Sequence, residues 1–422
     1  MAQTLLMPFE ASSTLVNVAE DAELRIIHLL ATNSSASTPC PTTFVPTCEA
    51  CIANADASGL LNTILDEPGA VRSLFGFETV EECVGAFSLL ASLLDRISDA
   101  QESQRMTLKL ADTMGAGGGN GDGKKCLAML VALYNFRSDG SEKCHLLAKI
   151  VTLAASVSPE LLNSSGALGT FIEPQTLKVL EGQWNIEVAE RRNLYKAVIG
   201  AMDTEALDAT KAKTKQQFLL LHLSTFDESS AFEPEALEAA RNAAVGAIRD
   251  PVSLFNEQRG IIRIPAIQAL GKKKDTKLLL KLLEIFSSGK LEDFLSFLST
   301  NPNILTQFNL VHEECIRYMR ILSLCSLADE HEEIPYAAVA STLQVPLEDV
   351  ESWVISGVSS GLLVAKMDQL QQLVMVERCV VRKFGIEQWK LLQTKMDAWK
   401  SNVRGILEGL KRSQAIQAQL AV

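Results

Sequence analysis

The residues in this sequence with the types and spacing to do chemistry are few. Gly118, Gly123 and Lys124 satisfy G-x-x-x-x-G-K, the pattern in which backbone amides and a lysine cradle a nucleotide's phosphates. The next residue is Lys125, where that chemistry needs a Ser or Thr hydroxyl to hold magnesium. Residues 107–114 ahead of it read as a helix end and not as the buried strand such a loop follows. The same glycines fail G-x-G-x-x-G from Gly115, because Asn120 takes the last position. Residues 115–123 are therefore expected to be a flexible connector, with a nucleotide-binding enzyme as the alternative.

Cys48-x-x-Cys51, with Cys40 nearby, is half of a zinc spacing, but no second Cys or His pair follows at a suitable distance. Cys144 and His145 are adjacent, so on a helix they point about 100° apart and cannot act as nucleophile and base. His312-Glu313-Glu314-Cys315 lacks the second His of H-E-x-x-H, and His331 lies among Glu330, Glu332 and Glu333 in what reads as a solvated turn. With five His in 422 residues, no catalytic constellation stands out. The expectation is no enzyme, no cofactor and no metal.

Composition sets further bounds. Lys plus Arg total 39 against 51 Asp plus Glu, a formal charge of -12, which is unsuited to general nucleic-acid binding. The longest apolar runs fall far short of the roughly 18 residues that span a bilayer. Residues 1–10 hold no Lys or Arg, so they lack the basic start of a signal peptide. The nine Cys (Cys40, Cys48, Cys51, Cys83, Cys126, Cys144, Cys315, Cys325, Cys379) are scattered and odd in number, as in free thiols of a reducing compartment. A cytoplasmic protein without a membrane partner is expected.

The elements that carry these residues are helical. Apolar residues recur at helical spacing nearly everywhere; Val84, Phe87, Leu90, Ala91 and Leu94 fall on one face. Ser158 before Pro159, Asn301 before Pro302, and Asp275 read as helix starts. Segments of about 12 to 20 residues from about 60 to 330 predict stacked helical pairs, a helical-repeat solenoid. Residues 34–46, rich in Ser, Thr and Pro, read as a surface loop.

After about residue 330 the pattern changes. A short helix over 334–343, a turn at Val345-Pro346, a second helix over 347–360 ended by Gly361, and two strands at 362–365 and 373–376 predict a winged helix. Leu347, Val350, Val354 and Val358 are its expected core stripe. The second helix carries Glu348, Asp349 and Glu351 and no basic residue, so it cannot read DNA. Trp353 extends the stripe or anchors a partner. The wing, with Val374 and Val376, is expected to offer an edge strand to another chain.

The sharpest spacing lies in the final helix, from about Ile386. Trp389, Leu392, Met396, Trp399, Val403, Ile406 and Leu410 alternate in steps of three and four, an a/d heptad seam about 30 Å long. It comes last, after a complete domain, and carries two Trp, so it is expected to pair with other chains, with Trp389 and Trp399 as anchors. The helix has six basic residues (Lys390, Lys395, Lys400, Arg404, Lys411, Arg412) against three acidic ones (Glu387, Asp397, Glu408). Lys272, Lys273 and Lys274 form a second basic run, read as a solvated face, with an RNA or acidic-partner contact as the sharper alternative.

A helical solenoid with a non-basic winged helix and a terminal bundling helix resembles the PCI-domain family. The resemblance is carried by Leu310-Val311-His312-Glu313, Tyr318-Met319-Arg320-Ile321-Leu322, Leu347-Glu348-Asp349-Val350-Glu351 and residues 364–368. It continues through Arg382-Lys383-Phe384-Gly385, Gln388-Trp389 and Ala398-Trp399-Lys400, and includes Asp250-Pro251 with Phe255, and Trp184-Asn185. It covers about residues 180–405 and looks closest to the subunit M branch of translation initiation factor 3. None of these motifs is catalytic.

The resemblance implies a non-catalytic scaffold of the translation initiation factor 3 complex on the small ribosomal subunit. Its partners would be other subunits with PCI domains, joined through winged helices and a bundle of C-terminal helices. The same architecture also serves the COP9 signalosome and the proteasome lid, which are the alternative complexes. The expected domains are a helical repeat over 1–204, a PCI domain over 205–384 (winged helix from about 312), and a bundle helix over 385–422.

Overall fold

The computed structural model describes residues 22–32, 40–116, 122–163, 166, 168–203, 209–256, 260–382 and 385–420. Among them are 21 α-helices and three short strands. The fold is mainly α, as its apolar spacing requires: helical repeats, a winged helix and a long terminal helix. The chain divides into two compact units, Met1–Ala239 and Ala240–Val422.

In the first unit each helix packs on near neighbours in sequence, the arrangement of a repeat stack. Gly123–Phe136 lies on Gly140–Val157, which lies on Val188–Ala201, which lies on Ala209–Leu223. Polar caps define the ends. Thr79 and Glu82 form a capping box on Val80–Ser92, and the Asp139 carboxylate accepts from the Ser141 and Glu142 amides. Phe87, Leu90, Ala91 and Leu94 are buried as the spacing predicts, Val84 is half-buried, and Cys83 joins them in the core. Asn185, in the left-handed conformation, ends the helix Pro174–Trp184. The Trp184 ring meets Tyr134 edge-on at 6.4 Å. Gly140 is required here, since a Cβ would lie 2.2 Å from the Trp184 carbonyl oxygen.

Three predicted helix starts differ. Ser158 closes Gly140–Val157, and Pro159 opens only a 3-10 turn, Pro159–Leu162. Asn301 closes Leu291–Thr300, its amide bonded to the Phe297 and Leu298 carbonyls; the next helix, Ile304–Gln307, starts after Asn303. The helix expected after Asp275 as cap begins two residues earlier, as Lys274–Ser288 with Lys273 at the cap position. At such junctions one polar residue follows a helix as closely as it precedes another, so a cap signal reads equally as an end. Residues 34–39 of the loop expected over 34–46 lie outside the described residues, and residues 40–43 are loop as expected. A helix, Phe44–Ala53, starts inside it, because the Phe44 ring is buried in the core.

The second unit builds from Lys274–Ser288 and Leu291–Thr300 to a central helix, His312–Glu330, and then the winged helix. The Ser323 hydroxyl of the central helix accepts from the Leu291 amide at 3.0 Å, satisfying an open donor at a neighbouring helix start. The winged helix comprises strand β1 (Glu333–Pro335), helix Tyr336–Leu343, helix Val350–Ser359, and the hairpin β2 (Leu363–Asp368) and β3 (Leu373–Cys379). The sheet is antiparallel in the order β1-β3-β2. β1 was not anticipated: it takes up residues 333–335, at the expected helix start, and three residues carry too little alternation to be seen in sequence.

Candidate interaction surface

The winged helix packs around Leu324, Ile334, Tyr336, Val339, Leu343, Val350, Val354, Leu363 and Val374. Its second helix turns Val350, Val354 and Gly357 inward. Leu347 and Val358, predicted as core, are exposed instead with Ile355. Leu347 lies in a 3-10 turn, Leu347–Asp349, ahead of the helix proper. Gly357 takes the inner position beside Leu324 and Leu363. Helix spacing alone could not separate Val358 from Val354, because a glycine gives no hydropathy signal.

Of the three acidic residues, Glu351 has local work. Glu351 accepts from the Tyr336 hydroxyl at 3.3 Å and from the Gln369 amide at 3.0 Å, tying the helix to the hairpin tip. Burial, then the Glu351 carboxylate, raise the Tyr336 pKa. Gly361, at φ +74°, ends the helix. The Asp368 carboxylate accepts from the Leu370 and Gln371 amides and folds the hairpin loop. Leu370 at its tip is 98% exposed. Trp353 is half-buried against the core, with the Arg320 guanidinium 5.2 Å over its ring.

Val374 and Val376 do not lie on an edge. β3 is the central strand, pinned between β1 and β2, and Val374 is 0% exposed. Val376 is half-buried against the same core. The free edges are β2 and the three-residue β1. On the solvent face, Lys366 of β2 pairs with Glu377 at 2.6 Å beside a bulge.

Arg382, between the wing and the last helix, is a residue whose role sequence reasoning missed. Its guanidinium donates to the carbonyl oxygens of Leu322 (3.1 Å) and Phe286 (2.8 Å) and to the Ser326 hydroxyl (2.8 Å), and it stacks over Phe255. Burial pulls its pKa down to about 10. The only sequence signal was its place in the Arg382–Gly385 motif. Lys383 and Phe384 lie outside the described residues.

The terminal helix, Ile386–Leu420, is 35 residues long, about 52 Å at 1.5 Å per residue. The Gln388 side chain accepts from the Gly385 amide at 2.9 Å, half of a capping box. All seven seam residues lie on one helix and all are exposed, between 42% and 65%. Every described side chain from 392 to 413 is exposed. Leu407, beside the seam, widens it and was not singled out in sequence. An exposed apolar stripe of this length is a candidate interaction surface.

The other candidates are placed as follows. Gly118 lies outside the described residues. Lys125 is committed elsewhere: its ammonium donates to the Phe75 and Phe77 carbonyls at 2.7 and 2.9 Å. Gly123 starts a helix and lies so close to Val157 that a Cβ would clash at 2.4 Å. Cys48 is buried in its helix, and burial pushes its thiol up to about 11; Cys40 and Cys51 are half-buried. Among the described residues no group of three or more His, Cys, Asp or Glu is placed to hold a metal, and no helix is long and apolar enough to cross a membrane. Lys272 and Lys273 are exposed around a 3-10 turn; the Lys274 side chain lies outside the described residues.

Comparison with known proteins bears on this surface. Residues 291–378 match the PCI domain family. Residues 382–410, which span the exposed seam, match the family described as eIF3 subunit M, C-terminal helix. Residues 291–378 are thus similar to a PCI domain, and the chain resembles subunit M of eukaryotic translation initiation factor 3. It is 27% identical over 343 residues to the subunit M of Dictyostelium discoideum, covering 79% of this chain and 80% of that one. With the subunit M of Phaeosphaeria nodorum it shares 29% over 353 residues, 80% of this chain and 73% of the other. With that of Chaetomium globosum it shares 33% over 247 residues, 57% and 56% of the two chains. The PCI match begins in Leu291–Thr300 and ends within β3, so it takes in the central helix and the wing.

Proposed function

We propose that this chain is a non-catalytic scaffold subunit of the translation initiation factor 3 complex in the cytoplasm. It acts in assembly of the small-subunit initiation complex by binding other subunits with PCI domains. In this reading residues 1–204 form the helical repeat, 205–384 the PCI domain and 385–422 the bundle helix. The observation that carries it is the seam. Seven large apolar residues, two of them Trp, stand exposed along a helix that matches a helix of subunit M. The helix also contains Gly405 and Gly409, each unfavourable by about 1 kcal/mol relative to Ala in a helix interior. A solvated helix with those residues gains most from a partner. The exposed Leu347, Ile355 and Val358 and the open edge of β2 provide further contact area on the winged helix.

The test is co-purification of the tagged chain from cell extract at moderate salt, with protein identification and a ribosomal RNA assay. The reading predicts other initiation factor 3 subunits together with small-subunit RNA. Signalosome or proteasome-lid subunits without ribosomal RNA would move the chain to another complex. A lone chain in the eluate would overturn the scaffold reading.

A further inference from the structure

The heptad places each charged side chain of the terminal helix relative to the seam. With Trp389, Met396, Val403 and Leu410 at a, and Leu392, Trp399 and Ile406 at d, the flanking e positions are Gln393, Lys400 and Leu407. The flanking g positions are Gln388, Lys395, Asn402 and Gly409. The charged flanking residues are therefore both lysines. Of the acidic residues of the helix, Glu387 and Glu408 fall at f, away from the seam, and Asp397 falls at b, beside Lys400. Lys390, Arg404 and Lys411 lie at b, on the Lys400 side, and extend the positive flank. This segment carries a surplus of three positive charges on a chain whose total is -12.

A second copy of the helix fits badly. In a parallel pair a g residue meets the e residue of the next heptad, so Lys395 would face Lys400 on both sides. In an antiparallel pair e meets e and g meets g, and the charged flanks are again lysine only. Like charges at these positions select against a pairing. Lys400 makes no ion pair among the described residues. Burial, then Glu330, raise the pKa of Asp329, and Lys395 lies near enough to oppose that rise in part. Beyond Lys400 the flanks become apolar or empty at Leu407 and Gly409, so discrimination falls to the half of the seam between Trp389 and Lys400.

We propose that the seam takes a helix of a different chain whose own flanking positions are acidic, and not a second copy of this chain. The proposal rests on the reading of the seam as a docking surface and adds the chemistry of its occupant. The test uses the full chain and two designed heptad peptides with Leu at a and d. One carries Glu at every e and g position and the other carries Lys; binding is read by fluorescence anisotropy of the labelled peptide.

The acidic peptide is expected to bind about tenfold more tightly than the basic one at about 0.05 M salt, with the ratio falling towards one at about 1 M. Lys395→Glu with Lys400→Glu should invert the preference, and sedimentation should show the free chain as a monomer. Equal binding of both peptides, unchanged by the charge reversal, would overturn the acidic-partner inference and leave the seam intact. Failure of both peptides to bind would overturn the seam itself. Self-association abolished by Trp399→Glu would replace the proposed partner with a second copy.

Discussion

Arg382 brings a half-buried charge against the second unit, and oxygens from two helices answer it. The Phe286 carbonyl lies near the end of Lys274–Ser288, and the Leu322 carbonyl and Ser326 hydroxyl lie on the central helix. The residue therefore fixes the root of the terminal helix. Arg382→Met keeps the stem but removes these charged hydrogen bonds, while the Leu322 carbonyl keeps the Ser326 hydroxyl as a donor. It is expected to lower the stability of the second unit by about 3 kcal/mol, read by thermal unfolding, without changing the seam residues. In the first unit, His222 is buried against Phe226, its Nε2 3.6 Å from Glu235. Burial lowers its pKa, outweighing the opposing pull of Glu235. An imidazole with a folded pKa below its unfolded value of about 6.5 binds its proton more readily when unfolded. Its contribution to stability is thus complete above that value and is lost as pH falls through it. Denaturant melts from about pH 7 to 5 should show this loss, and His222→Phe should flatten it.

Elements were legible in sequence wherever one period dominated. The heptad helix, the order helix-turn-helix-hairpin and the core of Val80–Ser92 all follow from spacing that no neighbour contradicts. What was not legible depended on tertiary partners. β1 is a three-residue strand that exists only because β3 offers it a ladder. Val358 lost its core place to Gly357, which no hydropathy pattern marks. Val374 and Val376 read as edge residues because a two-stranded hairpin was expected; the third strand made theirs the centre. Helix propensity supplies a test at this scale. A methyl added at Gly405 meets nothing within 4 Å, and the helix there is exposed. Gly405→Ala should stabilise the terminal helix by about 1 kcal/mol, read as slower amide exchange around residue 405 in the free chain.

At the scale of the molecule, the apolar surface is distributed unevenly. Each unit has its own buried core, whereas the terminal helix leaves its large apolar residues in water along about 32 Å, from Trp389 to Leu410. Lys125, at the position where a phosphate loop needs a Ser or Thr, caps backbone carbonyls within its own unit, and Cys48 is a protonated core thiol. Of the residues singled out for partner binding, the seven of the seam are exposed, Trp353 is half covered, and Val374 belongs to the core.

The most direct measurement is stoichiometry of the assembly with Trp389→Glu and Trp399→Glu combined in the full chain. Both side chains are exposed, so the variant should melt at the temperature of the parent chain. The account predicts that it no longer co-purifies with other initiation factor 3 subunits, because two charges would enter a desolvated seam. A folded double variant recovered in the complex at full stoichiometry would contradict it.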